Sequence, residues 1–277
     1  MDIYPEGDCA LCVEFGRIIS PALNDRVHGL AGILRDRPLP GVTDIVPAYA
    51  SLLVCFDPLS ISSRSLRTAL WRRLREAENT GPGARETVYI PVCYEEPFSP
   101  DMGTVSVHTG LSPKEIIARH TRPAYRIYML GFLPGFPYLG GLDPALETPR
   151  LARPRIKIPA GAVGVGGAQT GIYPLESPGG WNLIGQSPVK LYDPRRENPF
   201  LYRPGDYIVF YPVSPEEYDG IAGAVENGNF FCPREIAAAA AGAAAGAPGA
   251  AAAAEPGGAE KSGPAAPGLS RRSRPWA

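Results

Sequence analysis

Residues 161–185, GAVGVGGAQTGIYPLESPGGWNLIG, constrain the fold of this chain more than any other stretch. Eight glycines stand in those twenty-five residues among Val, Ile, Tyr and Trp. That pattern predicts short strands broken by turns, at places where a side chain would clash or where φ must be positive. A flexible linker of this glycine content would be polar and monotonous. Here single polar residues of distinct chemistry, Gln169, Thr170, Ser177 and Asn182, stand between apolar ones, which suits a pocket or an interface. Residues 131–143, GFLPGFPYLGGLD, have the same character, with Phe132 and Phe136 standing on turns made by Pro134 and glycine. The two stretches are expected to face one site.

A chain of 277 residues can hold one large or two ordinary domains. The first part reads as a small α/β domain over residues 1–82. Residues 9–15, CALCVEF, alternate as a strand does, and Ser20-Pro21 opens a helix as cap and first helical residue. That helix carries Leu23, Val27, Leu30 and Leu34 on one face and ends near Arg37-Pro38. Residues 42–56 predict two strands about a turn at Ala48 to Ser51. A second helix follows over about residues 63–79, with Leu66, Leu70 and Leu74 on its apolar face. Two helices against an antiparallel sheet result, and Gly81-Pro82-Gly83 marks the boundary.

From residue 86 the pattern changes to short segments punctuated by Gly and Pro: TVYIPVCY, YRIYMLGF, RIKIPAG, GVGGAQ, VKLYD and DYIVFYPV. One helix interrupts them, opened by Ser112-Pro113 and ending about His120. Many short strands with turns between them predict a closed or nearly closed β-barrel over residues 86–215. Residues 216–277 then form an extension and an Ala/Gly/Pro-rich tail expected to be disordered. The alanine run carries too little apolar surface, and too early a proline, for a membrane span.

Composition excludes several functions. The net charge of −1 leaves no electrostatic footprint for nucleic acid. Five scattered cysteines and an N-terminus without an apolar signal core point to a reducing cytoplasm. Cys9-x-x-Cys12 has no second pair, so both cysteines are expected to be small buried hydrophobes rather than a metal or redox motif. No P-loop and no Gly-x-Ser-x-Gly elbow occurs, and Gln169 stands where a dinucleotide fingerprint needs its third glycine. His28 is expected on a solvated helix face, and His120, protonated, at a helix C-terminus. Gln169 and Thr170 in a turn either bind a carboxylate or amide or satisfy the turn backbone. Trp181 stacks on a ligand or caps the core. Arg155 and Lys157 alternate with Ile156 and Ile158, so both cations project from one strand face, toward phosphate, carboxylate or water.

GFLPGFPYLGGLD, PRIKIPAGAVGVGGAQTGIYPLESPGGWNLIGQSPVKLYDP and LYRPGDYIVFYPV together resemble the B subunit of bacterial 5-oxoprolinase. That family is also known as allophanate hydrolase subunit 1 and as the sporulation-kinase inhibitor KipI. The likeness extends to VPAYASLLVCFDP and HTGLSPKEIIARH and stops at about residue 220. It implies a small α+β N-terminal domain, a cyclophilin-like β-barrel, and a partner, the C subunit, of related barrel fold. It also implies ATP-dependent opening of 5-oxo-L-proline to L-glutamate, a cyclic-amide hydrolysis carried out with the A and C subunits and using ATP with magnesium at the level of the complex. Paired domains of this kind occur in the carboxyltransferase part of urea carboxylase, where a small amide binds between the halves. No catalytic residue is assigned. Substrate or partner contact is expected on Phe132, Pro134, Phe136, Arg155, Gln169, Thr170, Tyr173, Ser177, Trp181 and Asn182, and no metal site is expected. The chain departs from the family pattern at Ala162, where serine is usual, and at Gln186-Ser187, where an Arg-Thr pair is common. The alternatives are a regulator that docks on a sensor histidine kinase and a component of a urea- or allophanate-processing enzyme.

The tail offers only two large apolar side chains beyond residue 236, Leu269 and Trp276, and no patterned face. Deleting everything after about residue 236 is therefore expected to leave folding and partner binding unchanged. A fall of several degrees in melting temperature on truncation would show that the tail packs.

Overall fold

The computed structural model of the chain describes residues 1–77 and 85–237. Its first lobe grows on an antiparallel sheet in the order β1-β2-β4-β3, made of β1 (Asp2–Pro5), β2 (Ala10–Glu14), β3 (Val42–Pro47) and β4 (Ser51–Phe56). Strand alternation sends Leu11, Val13, Leu52, Val54 and Phe56 into the core. The same alternation corrects the reading of the cysteines: Cys12 falls on the opposite face, half-buried, and Cys9, before the strand, is exposed.

Helices α1 (Pro21–Asp36) and α2 (Ser63–Ala77) cover this core. Ser20 is extended and Pro21 supplies a fixed φ at the first helical turn. Leu66, Leu70 and Leu74 are buried as expected. In α1 the buried face is Asn24, Val27, Leu30, Ala31 and Leu34, with Leu23 only partly covered. Asn24 is fully buried, and it meets the second lobe. Its amide donates to the carbonyls of Ala48, Tyr49 and Tyr128, and its Oδ1 accepts from Arg126 Nε and Nη2. His28 lies on the same junction and not on a solvated face, its Nε2 2.8 Å from the Tyr128 carbonyl. The residues expected at 78, 79 and 81–83 lie outside the described residues, as does the tail beyond 237.

The second lobe divides its strands among three sheets. Five strands run β14-β5-β13-β6-β7: β5 (Arg85–Val92), β6 (Tyr125–Leu130), β7 (Pro137–Gly140), β13 (Tyr207–Pro212) and β14 (Arg234–Ala237), with only β5 and β13 parallel. Three more, β9 (Ala162–Gly166), β10 (Gln169–Ile172) and β12 (Asn182–Gln186), run β10-β9-β12. A third pair joins β8 (Arg155–Ile158) to β11 (Ser177–Gly179). Single bridges, such as Cys93 with Gln186, link the sheets. Among the described residues no sheet closes on itself, where a closed or nearly closed barrel was expected. Strands of three to five residues and a register shift between Leu183 and Gly185 interrupt the ladder before it can close.

Other differences have local causes. VKLYD pairs only through a bridge from Tyr192 to Phe200. Besides the expected α4 (Pro113–Thr121), with its reciprocal Ser112–Glu115 cap, the lobe holds α3 (Met102–Thr109) and α5 (Pro215–Glu226). Only Met102 and Val105 of α3 are buried, so no apolar stripe announces it. Past α5, Cys232 enters the core and β14 pairs with β5, so the chain remains structured beyond residue 215. No helix among the described residues is long and apolar enough to cross a membrane.

His120 shows what the core of this lobe demands. It does end a helix, but it is fully buried, and burial pushes its imidazole down to about 3. The ring is neutral rather than protonated. Thr170 Oγ1 donates to the Gly164 carbonyl at 3.0 Å, so it accepts from His120 Nε2 at 2.8 Å. Nδ1 is then left to accept from the Tyr94 hydroxyl at 2.8 Å. A continuous relay therefore runs from β5's end through α4 to the glycine-rich sheet.

Because the folded pKa is depressed, the unfolded chain binds the extra proton, and this stabilisation is complete above the unfolded value near 6.5 and lost as pH falls toward about 3. Between about pH 6.5 and pH 5 the chain should lose about 2 kcal/mol through this group alone. Denaturant melts of the parent and His120→Gln across that range check it. The variant's stability should change less with pH, and parallel curves would contradict the assignment.

Candidate functional site

Glycine explains how the two sequence stretches meet. A Cβ on Gly166 would stand 2.4 Å from Trp181 Cδ1, and one on Gly171 would stand 3.0 Å from Trp181 Cζ3. The indole therefore lies directly on the backbone of β9 and β10. Phe136 packs edge-on against Trp181 at 5.8 Å, Tyr173 at 5.3 Å and Tyr138 at 5.4 Å. Phe136, Tyr173 and Trp181 are 3%, 3% and 6% exposed. The expected convergence is real, but these three rings form a small core. Trp181 is thus a core cap, with the Arg150 guanidinium over its ring at 5.8 Å.

Phe132 and Pro134 project from that core into solvent. Leu133 N donates to the Gly131 carbonyl at 2.6 Å, closing a three-residue turn whose centre, Phe132, has φ of 60°. A non-glycine residue held there stores strain. The turn keeps the Phe132 ring 61% exposed while its edge meets Phe136 at 5.6 Å.

The antiparallel β8–β11 pair carries the candidate chemistry. Asp101, buried at the start of α3, accepts the Leu183 amide on Oδ2 at 2.7 Å and Arg155 Nη2 on Oδ1 at 2.6 Å. Arg155 Nη1 is buried without a hydrogen-bond partner. On the facing strand Ser177 Oγ is buried and equally unpartnered. Lys157 pairs with Glu176 at 2.8 Å on the open surface. Both cations of β8 therefore already face carboxylates. Burial raises the phenol of Tyr173, against the lowering pull of Arg150 and Arg155, so it stays a neutral donor. Each of these free donor groups can receive an acceptor such as a carboxylate or a developing oxyanion.

Gln169 and Thr170 begin a strand instead of sitting in a turn. Thr170 is buried in the histidine relay. Gln169 Nε2 donates to the Tyr49 hydroxyl at 2.7 Å, across to the β3–β4 hairpin of the first lobe. Burial lifts that phenol to about 12, with the Gln169 bond pulling the other way. Tyr49 also packs on Tyr128 at 5.4 Å and Tyr138 at 6.1 Å. Asn182 is buried, its amide donating to the Pro149 carbonyl at 2.9 Å. Thr170 and Asn182 therefore hold backbone, while Arg155 and Ser177 keep a free donor. Sequence reasoning missed Asp101, Tyr49 and the Asn24–Arg126 junction. Of these only Asn24 left a signal, a polar residue in the apolar register of α1. No three of His, Cys, Asp or Glu gather into a metal-holding group among the described residues.

The family model described as carboxyltransferase domain, subdomain C and D, matches residues 1–202. The 5-oxoprolinase B subunit of Bacillus subtilis is 41% identical over 222 residues, covering 76% of this chain and 92% of the relative. The crystal structure of TTHA0988 aligns with TM-score 0.65 at 45% identity over 74% of this chain, which spans only 40% of that longer one. The urea amidolyase of K. lactis aligns with TM-score 0.70 at 22% identity, over 85% of this chain and 16% of that one, a likeness of fold alone.

The Gln169–Tyr49 bond yields a direct test. Gln169→Ala and Tyr49→Phe should each lower stability by about 1 kcal/mol. The double variant should lose less than the sum, with a coupling of about 0.5 kcal/mol or more. Strict additivity in a denaturant double-mutant cycle would show that the two side chains do not bond.

Proposed function

The chain belongs to the carboxyltransferase C and D family, in its branch of 5-oxoprolinase B subunits, and from that membership we propose that it acts as the B subunit of an ATP-dependent 5-oxoprolinase. With the A and C subunits it would open 5-oxo-L-proline to L-glutamate. The observation that carries this reading is identity of 41% sustained over 92% of the Bacillus relative's length. In the same reading the three sheets of the second lobe are an opened cyclophilin-like barrel, the domains divide between residues 82 and 86, and the protein works in the cytoplasm.

This chain's share of the reaction is positioning. Opening the lactam adds water across the C–N bond and builds negative charge on the amide oxygen. The Arg155 Nη1–H and Ser177 O–H lack acceptors in the free chain, and in this proposal they receive that oxygen or the substrate carboxylate. Asp101 fixes the guanidinium for the task. Phe132 and Pro134, held outward on their strained turn, face the partner barrel. ATP would supply the driving force by activating the amide. Arg155 and Lys157 are already paired with Asp101 and Glu176. In this proposal the nucleotide is used at the level of the assembled complex.

Ser177→Ala removes a hydroxyl that holds nothing in the free chain, so melting temperature should not fall. Turnover of the reconstituted three-subunit complex, read as glutamate released from 5-oxoproline and ATP, should drop on the order of 10²-fold. The single chain should show no turnover. Unchanged rates in the variant would remove the β8–β11 pair from the active site. Turnover of urea or allophanate instead of 5-oxoproline, or inhibition of a sensor kinase with no complex formed, would overturn the reading itself.

A further inference from the structure

Between the two lobes lies a cleft of about 1180 Å³, lined among others by Asp25, His28, Arg85, Arg126 and Arg203. It lies apart from the β8–β11 pair, which contributes no lining residue. Its charges do not balance. Asp25 Oδ1 accepts from both Arg85 Nη2 and Arg126 Nη2, so one carboxylate serves two guanidinium groups. Arg126 is 4% exposed. Its Nε and Nη2 are satisfied by Asn24 and Asp25, and its Nη1 is buried with no partner. A buried guanidinium with half a counter-charge is unfavourable unless another anion completes it.

We propose that this cleft binds a small carboxylate, whose oxygens complete the coordination of Arg126 and Arg85. Each arginine gives its Nη2 to Asp25, and Arg126 keeps Nη1 as a charge-assisted donor for a carboxylate oxygen. Within the Arg85–Asp25–Arg126 cluster the imbalance is one positive charge, and Asp25 stands beside the site, so a monoanion fits better than a phosphate dianion. His28 sets a further feature. It donates Nε2–H to the Tyr128 carbonyl, which leaves Nδ1 as an acceptor. Burial and Arg126 hold the ring neutral. An N–H donor on the ligand, as in an amino acid or an acyl-amino acid, would satisfy it. This site does not depend on the oxoprolinase reading, because nothing in the argument uses that reaction.

The full-length chain is titrated with L-glutamate, N-acetylglycine and inorganic phosphate at constant ionic strength, by calorimetry and thermal shift. Saturable binding of at least one carboxylate is expected, with phosphate weaker. Arg85→Gln restores one-to-one charge between Asp25 and Arg126, so it should weaken the carboxylate about tenfold or more without lowering the melting temperature of the free chain. Asp25→Asn acts oppositely, tightening the carboxylate while destabilising the free chain. Absence of saturable binding by the parent, or tighter binding of phosphate than of either carboxylate, would overturn the proposal. So would an unchanged affinity in Arg85→Gln. Should one of the variants fail to fold, the titration of the parent chain still decides between binding and none.

Discussion

Asn24 is the side chain on which the relation between the two lobes depends. It sits on the apolar face of α1, fully buried, and its amide and carbonyl satisfy three backbone carbonyls and the Arg126 guanidinium. An aliphatic residue would fill the same volume. It would also strand those groups in a place closed to water, at about 1–3 kcal/mol for each. The junction is therefore specified by hydrogen bonding and not by apolar fit. Its reach is long: Ala48 and Tyr49 are held at the hairpin tip, and the Tyr49 hydroxyl then accepts from Gln169 in the glycine-rich sheet.

That sheet is ordered by a different rule. Trp181 can lie against β9 and β10 only where the strands carry no Cβ, and Gly166 and Gly171 supply the two openings. Three aromatic rings are then buried against bare backbone, far more apolar area than strands this short could cover with their own side chains. The rigidity has a consequence for the strand pair beside it. β8 and β11 are short and pair irregularly between Ser177 and Gly179. They owe their position to Asp101, to Ile158 in the core and to the Tyr173 ring packed on Gly179. Polar atoms on such a platform keep their place whether or not they have a partner.

Periodicity made the first lobe legible. Leucines three and four apart, Pro21 behind Ser20, and strand alternation each act within one element, and each is reproduced in α1, α2 and β2 to β4. The second lobe was legible as short strands but not as their arrangement, because closure depends on pairing between residues far apart, as in β5 with β13. His120 was placed correctly at a helix end and given the wrong charge. Nothing local reveals that Tyr94 and Thr170 enclose it. Phe132 and Phe136 look alike in sequence, yet one turn at φ 60° sends the first outward and leaves the second in the core.

The buried polar groups point the same way at two separate places. Among the described residues the unpartnered buried side-chain atoms are Arg126 Nη1, Arg155 Nη1 and Ser177 Oγ, two that only donate and one hydroxyl that donates or accepts. Folded chains rarely leave such atoms orphaned, because the desolvation is not returned. The two guanidinium nitrogens can be complemented only by acceptors from outside the chain, and the hydroxyl can donate to the same acceptors. Carboxylates and polarised amide oxygens have that character. On the two proposals above, the β8–β11 strand pair and the interlobe cleft would share one chemical preference, built by unrelated parts of the fold.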